Sequence, residues 1–203
     1  MTTSSSAAVW LVAPLVGLVP LSGFAATPTT WNQDPQITLR FVNQGDGPEK
    51  WKPKGLVINI GAVTDGRTLD DRAVVGERQV TGPAALPVVT RVPVSDFVDQ
   101  ALRVSLAKWK VSVSAEAEHV LRCEILQFWA IEKKLIASDT RFRFTLTDRA
   151  GAILWQGEVA EADHTWADDE KGWVESFCHA TQRTIALLFD DPGFQAALTG
   201  NSN

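Results

Sequence analysis

The chain has 203 residues and a formal net charge of −5, with 45% hydrophobic and 21% charged residues. This acidic balance excludes a nucleic-acid binder held by phosphate contacts, because such a protein needs an excess of Lys and Arg. The composition also excludes collagen-like, disulfide-dense and highly charged disordered chains. The length fits a single domain with its own core.

The N-terminal stretch predicts export. The first 26 residues contain no charged side chain, and an apolar run from Trp10 to Val19 is followed by the small residues Gly23 and Ala25. This order is typical of a secretion signal, so we expect cleavage after Ala25 and removal of residues 1–25. The alternative is an uncleaved membrane anchor, for which the apolar stretch is only just long enough. We expect an exported, periplasmic protein that associates with a membrane only if this segment is retained.

Residues 26–54 predict an extended tether, because they are rich in Pro and Gly. Within the tether, Ile37, Leu39 and Phe41 alternate with polar residues, which allows a short strand over 36–42. We expect residues 55–200 to form a single domain.

In the first half of that domain, alternating apolar residues predict strands over 56–64, 73–80 and 88–92. A helix is predicted from Ser95, acting as N-cap, to Lys110, because apolar residues recur there at helical spacing.

In the second half, the alternation predicts a meander of three strands over 119–131, 138–147 and 153–162. The apolar phase shifts within the first of them, which indicates a bulge near Leu126. A last helix is predicted from Asp168 to Phe189 and is expected to end before Pro192.

This order of elements predicts an α+β fold. We expect a two-layer sandwich, in which a mainly antiparallel sheet is covered on one face by two long helices.

The two cysteines, Cys123 and Cys178, both lie on predicted core-facing positions. An oxidising compartment would allow a disulfide between them. The alternative is a pair of buried free thiols, since Cys packs as a small hydrophobic residue.

The sequence contains none of the common motifs for nucleophilic catalysis, zinc proteases or nucleotide binding. We therefore expect no catalytic residue, no metal and no cofactor. The densest polar cluster holds His164 and Asp168, which could place an imidazole beside a carboxylate. The alternative function is thus an exported hydrolase or metal-dependent enzyme centred on these two residues. Acidic residues are also favoured at a helix start by the helix dipole, and we prefer this structural explanation.

Two groups of charges have both a structural and a functional explanation. Asp65 and Arg67 flank a Gly at the end of the first predicted strand, where they could bind an anion or a partner, or form an ion pair that shapes the turn. On the second strand of the meander, Arg141 and Arg143 point away from the core, and we expect them to pair with Glu residues on neighbouring strands.

Several of these segments resemble YajG-type bacterial envelope lipoproteins. Residues 56–67 are similar to the opening strand and D-x-R turn of that family, and residues 75–78 resemble the I-G-x-R segment that follows. The helix over 95–109, the strand over 121–128 and the D-x-x-G-x-x-x-W-x-G stretch over 148–157 come in the same order. More distantly, the chain is similar to the auxiliary lipoproteins of lipid-transporting ABC systems.

The resemblance covers roughly residues 55–198 and implies a non-enzymatic envelope protein that binds a partner protein or an apolar, lipid-like ligand. The Cys that accepts the lipid directly after the signal is missing here. A soluble periplasmic form therefore fits better than anchoring to the outer membrane. We expect the contact surface to include Asp65, Arg67 and Arg78, together with the irregular segment 68–94.

Overall fold

The computed structural model describes residues 35–45, 47–51, 55–79, 84–166 and 169–200, so the predicted signal sequence lies outside the described residues. The strands are β1 (Gln36–Ile37), β2 (Val57–Asp65), β3 (Val74–Gln79), β4 (Ala85–Thr90), β5 (Ser112–Val113), β6 (His119–Glu132), β7 (Ile136–Asp148) and β8 (Ile153–Thr165). The helices are α1 (Val94–Lys108), α2 (Glu170–Asp190) and α3 (Pro192–Thr199).

The sheet is built around the long strand β6. One edge of β6 pairs antiparallel with β7, which in turn pairs antiparallel with β8. The other edge carries two parallel strands end to end, because β2 pairs along 120–125 and β3 pairs along 130–132. β5 lies beyond β2, and β4 and then β1 lie beyond β3. The pairing of β2 with β6 ends at residue 125, and the pairing of β3 with β6 begins at residue 130. We call this junction, formed by residues 65–74 and 125–130, the fork.

The expectation of a mainly antiparallel sheet is wrong. Four of the seven strand pairings among the described residues are parallel. The predicted meander β6–β7–β8 is antiparallel, because short connections force that direction. β2 and β3 reach β6 only through longer crossovers, and the alternation of their side chains does not reveal the direction of pairing.

The predicted bulge in β6 is confirmed. The register between β6 and β7 shifts between Ile125 and Gln127, so Leu126 is the extra residue. A bulge bends its strand, and here the bend coincides with the exchange of β2 for β3 along the opposite edge of β6.

Three helices are present among the described residues instead of the two long ones expected. α1 and α2 have 15 and 21 residues, and α3 adds a third helix of 8 residues. α2 ends at Asp190, before Pro192 as expected, and Pro192 begins α3, because the first turn of a helix needs no N–H from that residue. Asp191 caps this turn by accepting a 2.7 Å hydrogen bond from the Phe194 N–H. α1 begins at Val94, so the predicted N-cap Ser95 lies inside the helix.

The core lies between the helices and the inner face of the sheet. A chain of aromatic contacts crosses it: Phe97 of α1 meets Phe128 of β6 at 5.6 Å, and Phe128 stacks on Phe177 of α2 at 4.1 Å between ring centroids. These rings are fully buried, and aromatic pairs of this kind add to the free energy gained from burial. No helix in the described parts of the chain is both long and apolar enough to cross a membrane.

The expected tether packs against the helices. We call residues 37–45 and 47–51 the strap. Its residues Ile37, Leu39 and Phe41 are buried in the core, and Trp51 stacks on Phe189 of α2 at 5.9 Å. Side chains along one face of α2 accept hydrogen bonds from strap backbone N–H groups, at positions Glu170, Cys178, Gln182 and Asp190. The ordered domain therefore includes part of the region predicted as linker.

Candidate functional site

The predicted turn after β2 lies at the fork, where Arg67 is buried with 4% of its surface exposed. Arg67 Nε and Nη2 donate to the Asp65 carboxylate at 2.9 and 2.8 Å. The other guanidinium hydrogens are donated to the carbonyl oxygens of Arg72, Val74 and Phe128 at 2.6, 3.0 and 3.3 Å. Because a guanidinium has a fixed set of N–H groups, Arg67 uses all of them within the chain.

This arrangement keeps Asp65 ionised. Burial alone would raise the pKa of the Asp65 carboxyl, but the hydrogen bonds from Arg67 and the positive charges of Arg67 and Arg72 outweigh that effect. The pKa of Asp65 therefore lies below its ordinary value. Asp65 stabilises the fold at neutral pH, and this contribution is lost as the pH falls through the folded-state pKa.

Arg78, the third predicted contact residue, lies on β3 with 9% exposure, and its Nε is 2.9 Å from Glu132 Oε1. The other oxygen of Glu132 accepts a 2.6 Å hydrogen bond from Trp173 Nε1. A Cβ at Gly76 would lie 2.2 Å from the oxygen of Ala130 and 2.7 Å from the Trp173 ring, so only Gly fits there. The segment that resembles I-G-x-R thus ties β3 to β6 and α2.

A partner contact at Asp65, Arg67 and Arg78 stays a prediction. In the structure all three side chains form buried ion pairs within the chain. A partner would have to compete with these bonds, and separating a buried ion pair is strongly destabilising to the fold.

The two residues of the alternative enzymatic site are placed as follows. His164 is exposed on the outer face of β8, next to Ala137 of β7, while Asp168 lies outside the described residues. The adjacent Asp163 points to the helix side, where its Oδ2 is 3.5 Å from His179 Nδ1. Within the ranges that the structure describes, no three His, Cys, Asp or Glu side chains are placed to hold a metal ion.

Cys123 and Cys178 are both free and buried in the structure, and a disulfide between them stays a prediction. Cys178 Sγ faces the strap: it accepts a 3.4 Å hydrogen bond from the Val42 N–H and donates to the Arg40 oxygen at 3.6 Å. Burial raises the pKa of the Cys178 thiol to about 11 and also raises the pKa of Cys123. Both thiols are therefore unreactive near neutral pH while they stay covered.

A cavity of about 880 Å³ lies where the strap, β8 and α2 meet. Strap residues 44, 45 and 47–50 form one wall, Glu161 and Asp163 of β8 form the second, and α2 from His179 to Asp190 forms the third. We call this cavity the edge groove, because β8 is the edge strand on its side of the sheet.

Some charged residues of the edge groove are buried and hydrogen-bonded within the chain, whereas others stay exposed to solvent. Asp190 accepts the backbone N–H groups of strap residues 49–51 at 2.8 to 3.1 Å and is almost buried. Arg183 Nη2 pairs with Glu161 at 2.9 Å, yet 59% of the Arg183 side chain stays exposed. Leu187 adds an apolar surface that is 40% exposed. The groove thus offers charge and apolar contact together.

On the outer face of the sheet, Arg143 lies between Glu124 and Glu158, with N–O distances of 2.8 and 2.7 Å. The predicted cross-strand pairing is therefore confirmed for Arg143. These exposed pairs keep the uncovered face polar, and ion pairs of this kind contribute little to stability.

Sequence analysis missed the edge groove because its walls come from three distant segments. One signal was present: α2 carries the polar residues Gln182 and Asp190 among its buried positions. Buried polar side chains need a hydrogen-bond partner. Their presence on an apolar helix face indicates a backbone segment packed against it, which is the strap.

No family model matches the chain, and no curated protein matches it. Among solved structures, it resembles the protein XCC0632 from Xanthomonas campestris, which is assigned to family model DUF330. That structure has a TM-score of 0.54 and 12% sequence identity, and the match covers 82% of this chain and 95% of that one. A second structure, described as an uncharacterized protein, has a TM-score of 0.50 and 11% identity, with 77% and 97% of the two chains covered.

A putative lipoprotein from Caulobacter crescentus CB15 is also similar, with a TM-score of 0.37, 12% identity, and 52% and 82% of the two chains covered. At that TM-score the likeness carries no argument. The first two structures show that this chain shares their fold, and at such low identity they show the fold alone.

Proposed function

We propose that this protein is a non-catalytic, envelope-associated protein that works by binding a partner protein at the edge groove. The observation that carries the proposal is the edge groove itself, which joins the exposed Leu187 to the half-exposed ion pair of Arg183 and Glu161. A mixture of apolar and polar surface is typical of protein–protein contacts. It fits a protein better than an apolar, lipid-like ligand, which would bury these charged groups without offering them polar contacts.

A location in the envelope is supported by the sequence. The uncharged stretch over residues 1–26 is typical of a secretion signal, and the segments that resemble YajG-type lipoproteins favour the same compartment. The absence of a lipid-accepting Cys after that stretch favours a periplasmic form.

A role in binding is also supported by the state of the buried ionisable groups. Asp65, Arg67 and Arg78 are engaged in structural bonds, and the two thiols are covered with raised pKa values. Catalytic groups are typically accessible and have pKa values matched to the working pH. None of these five groups is freely accessible, and the raised pKa values of the two thiols keep both thiols protonated near neutral pH.

Site-specific photo-crosslinking in intact cells tests the proposal. A photoreactive amino acid replaces Leu187 in the edge groove, Asp70 in the surface predicted from the sequence, or Val113 on β5 as an exposed control. We expect a discrete crosslinked protein from position 187 and none from position 113. A product from position 70 alone would favour the surface around the fork. The same product from all three positions, or none from position 187, would reject the edge groove.

A further inference from the structure

The edge of β8 that faces away from β7 has no strand partner among the described residues. β8 has 13 residues, and its one register shift against β7 lies near its start, after the pair of Leu146 with Trp155. From Trp155 to Thr165 the strand is regular, so alternate backbone N–H and C=O groups point outward along it. A regular, open edge of this length is a template for one more strand.

The formal charges on this edge strand are all negative. β8 contains Glu158, Glu161 and Asp163 but no Lys, Arg or Pro, although Lys and Pro are common means of protecting an exposed edge. Two copies of β8 placed edge to edge would bring carboxylates close together, and like charges on adjacent strands are destabilising. The acidic edge therefore opposes pairing between two copies and favours a strand that carries positive charge.

An added strand would also lie along the edge groove. Glu161 and Asp163 are on the helix-facing side of β8 and form one wall of the groove, opposite α2. Every second side chain of the added strand would point toward α2, because side chains alternate along a strand. Among the residues that line the groove, four carboxylates face two cations, which favours Lys or Arg at those positions.

We infer that β8 binds an extended, basic segment of the partner protein as an additional strand, with alternate Lys or Arg side chains in the edge groove. This inference rests on the proposed function and specifies the chemistry of its partner. Backbone hydrogen bonds to β8 supply the affinity, and the carboxylates select the charge.

A pair of peptides tests the inference on the full-length protein. One has about ten residues, the upper end of usual strand lengths, with Lys alternating with Val and Thr, and the other has Glu in place of each Lys. We expect the basic peptide to slow amide hydrogen exchange along 155–165 and to bind at least about tenfold more tightly than the acidic one. Equal binding of both peptides, or binding without protection of 155–165, would overturn the inference.

Two matched variants locate the contact. Glu161→Lys reverses a charge on the groove-facing side of β8, and Glu124→Lys makes the same change at an exposed, ion-paired residue on β6. We expect Glu161→Lys to weaken binding of the basic peptide about tenfold and Glu124→Lys to leave it unchanged. Equal losses in both variants would contradict a basic partner strand in the edge groove.

The crosslinking experiment distinguishes partner binding at the edge groove from the addition of a strand to β8. A discrete product at Leu187 without any protection of β8 by the basic peptide retains the proposed partner binding and rejects the added strand. Failure at Leu187 rejects the proposed function as well.

Discussion

The fork and the edge groove are both built from Arg and carboxylate side chains, but they use these charges in opposite ways. At the fork, Arg67 donates all its N–H groups within the chain and is only 4% exposed. At the edge groove, Arg183 pairs with Glu161 while 59% of its side chain stays exposed.

Burial decides what each ion pair does. Breaking a buried pair leaves an uncompensated charge in a medium of low dielectric, whereas an exposed pair is screened by water and salt. The ion pair at the fork should therefore stabilise the fold, whereas the ion pair in the edge groove should be available to bind a partner.

The largest effect is expected at the fork. Arg67→Ala should lower the free energy of unfolding by about 3–5 kcal/mol, because Asp65 and three carbonyl oxygens lose their donors. Urea denaturation followed by circular dichroism measures this change. Arg67→Lys keeps the charge but has fewer donors, and should restore part of the stability. A loss below about 1 kcal/mol in Arg67→Ala would mean that the buried bonds are unimportant.

A smaller, pH-dependent effect is expected for Asp65→Asn. Because the pKa of Asp65 is lowered in the folded state, its contribution is present above the ordinary carboxyl pKa and is lost as the pH falls through the folded value. The variant should be less stable than the wild type at pH 7, and the difference should shrink below about pH 4. Urea midpoints across this range measure it, and a difference independent of pH would contradict the ion pair.

The strap forms one wall of the edge groove, and removing its anchor on α2 should lower stability by an intermediate amount. Asp190→Ala removes the acceptor of three backbone N–H groups and should cost about 1–3 kcal/mol. It should also speed the reaction of Cys178 with a thiol reagent, since the strap covers that residue. Cys123, on β6, provides the internal control and should stay slow. Equal acceleration at both thiols would indicate general unfolding instead of release of the strap.

The smallest effect is expected in the edge groove. Arg183→Gln should change the free energy of unfolding by no more than about 1 kcal/mol, because exposed ion pairs contribute little. The same variant should alter the crosslinking yield at position 187. A loss of stability as large as that of Arg67→Ala would show that the groove is structural and would remove the contrast with the fork.

Local sequence patterns are sufficient to predict the strands whose pairing partners are near in sequence. The meander β6–β7–β8 and the bulge at Leu126 follow from alternating side chains and short turns. The parallel pairing of β2 and β3 with β6 could not be predicted in this way, because it depends on which long crossovers the chain makes.

The candidate site could be predicted from the sequence to a smaller extent than the fold. The sequence indicates an ion pair between Asp65 and Arg67 that shapes the turn, but the burial of Arg67 and its carbonyl partners follow only from the structure. The Pro and Gly content of the strap is typical of linkers and predicts a tether. Its backbone is instead satisfied by side chains of α2, and such long-range bonds leave no periodic pattern in the strap itself.

The position of β6 in the chain has a consequence for folding. β2 and β3 are complete by residue 79, but the strand to which both are hydrogen-bonded begins at His119 and ends at Glu132. A chain that emerges from its N-terminus therefore holds two apolar strands with an unfilled edge until β6 arrives. Pairings between distant segments slow folding and prolong exposure of such edges. We expect a fragment that stops before β6 to aggregate, and a fragment that includes β6 to have both strands paired.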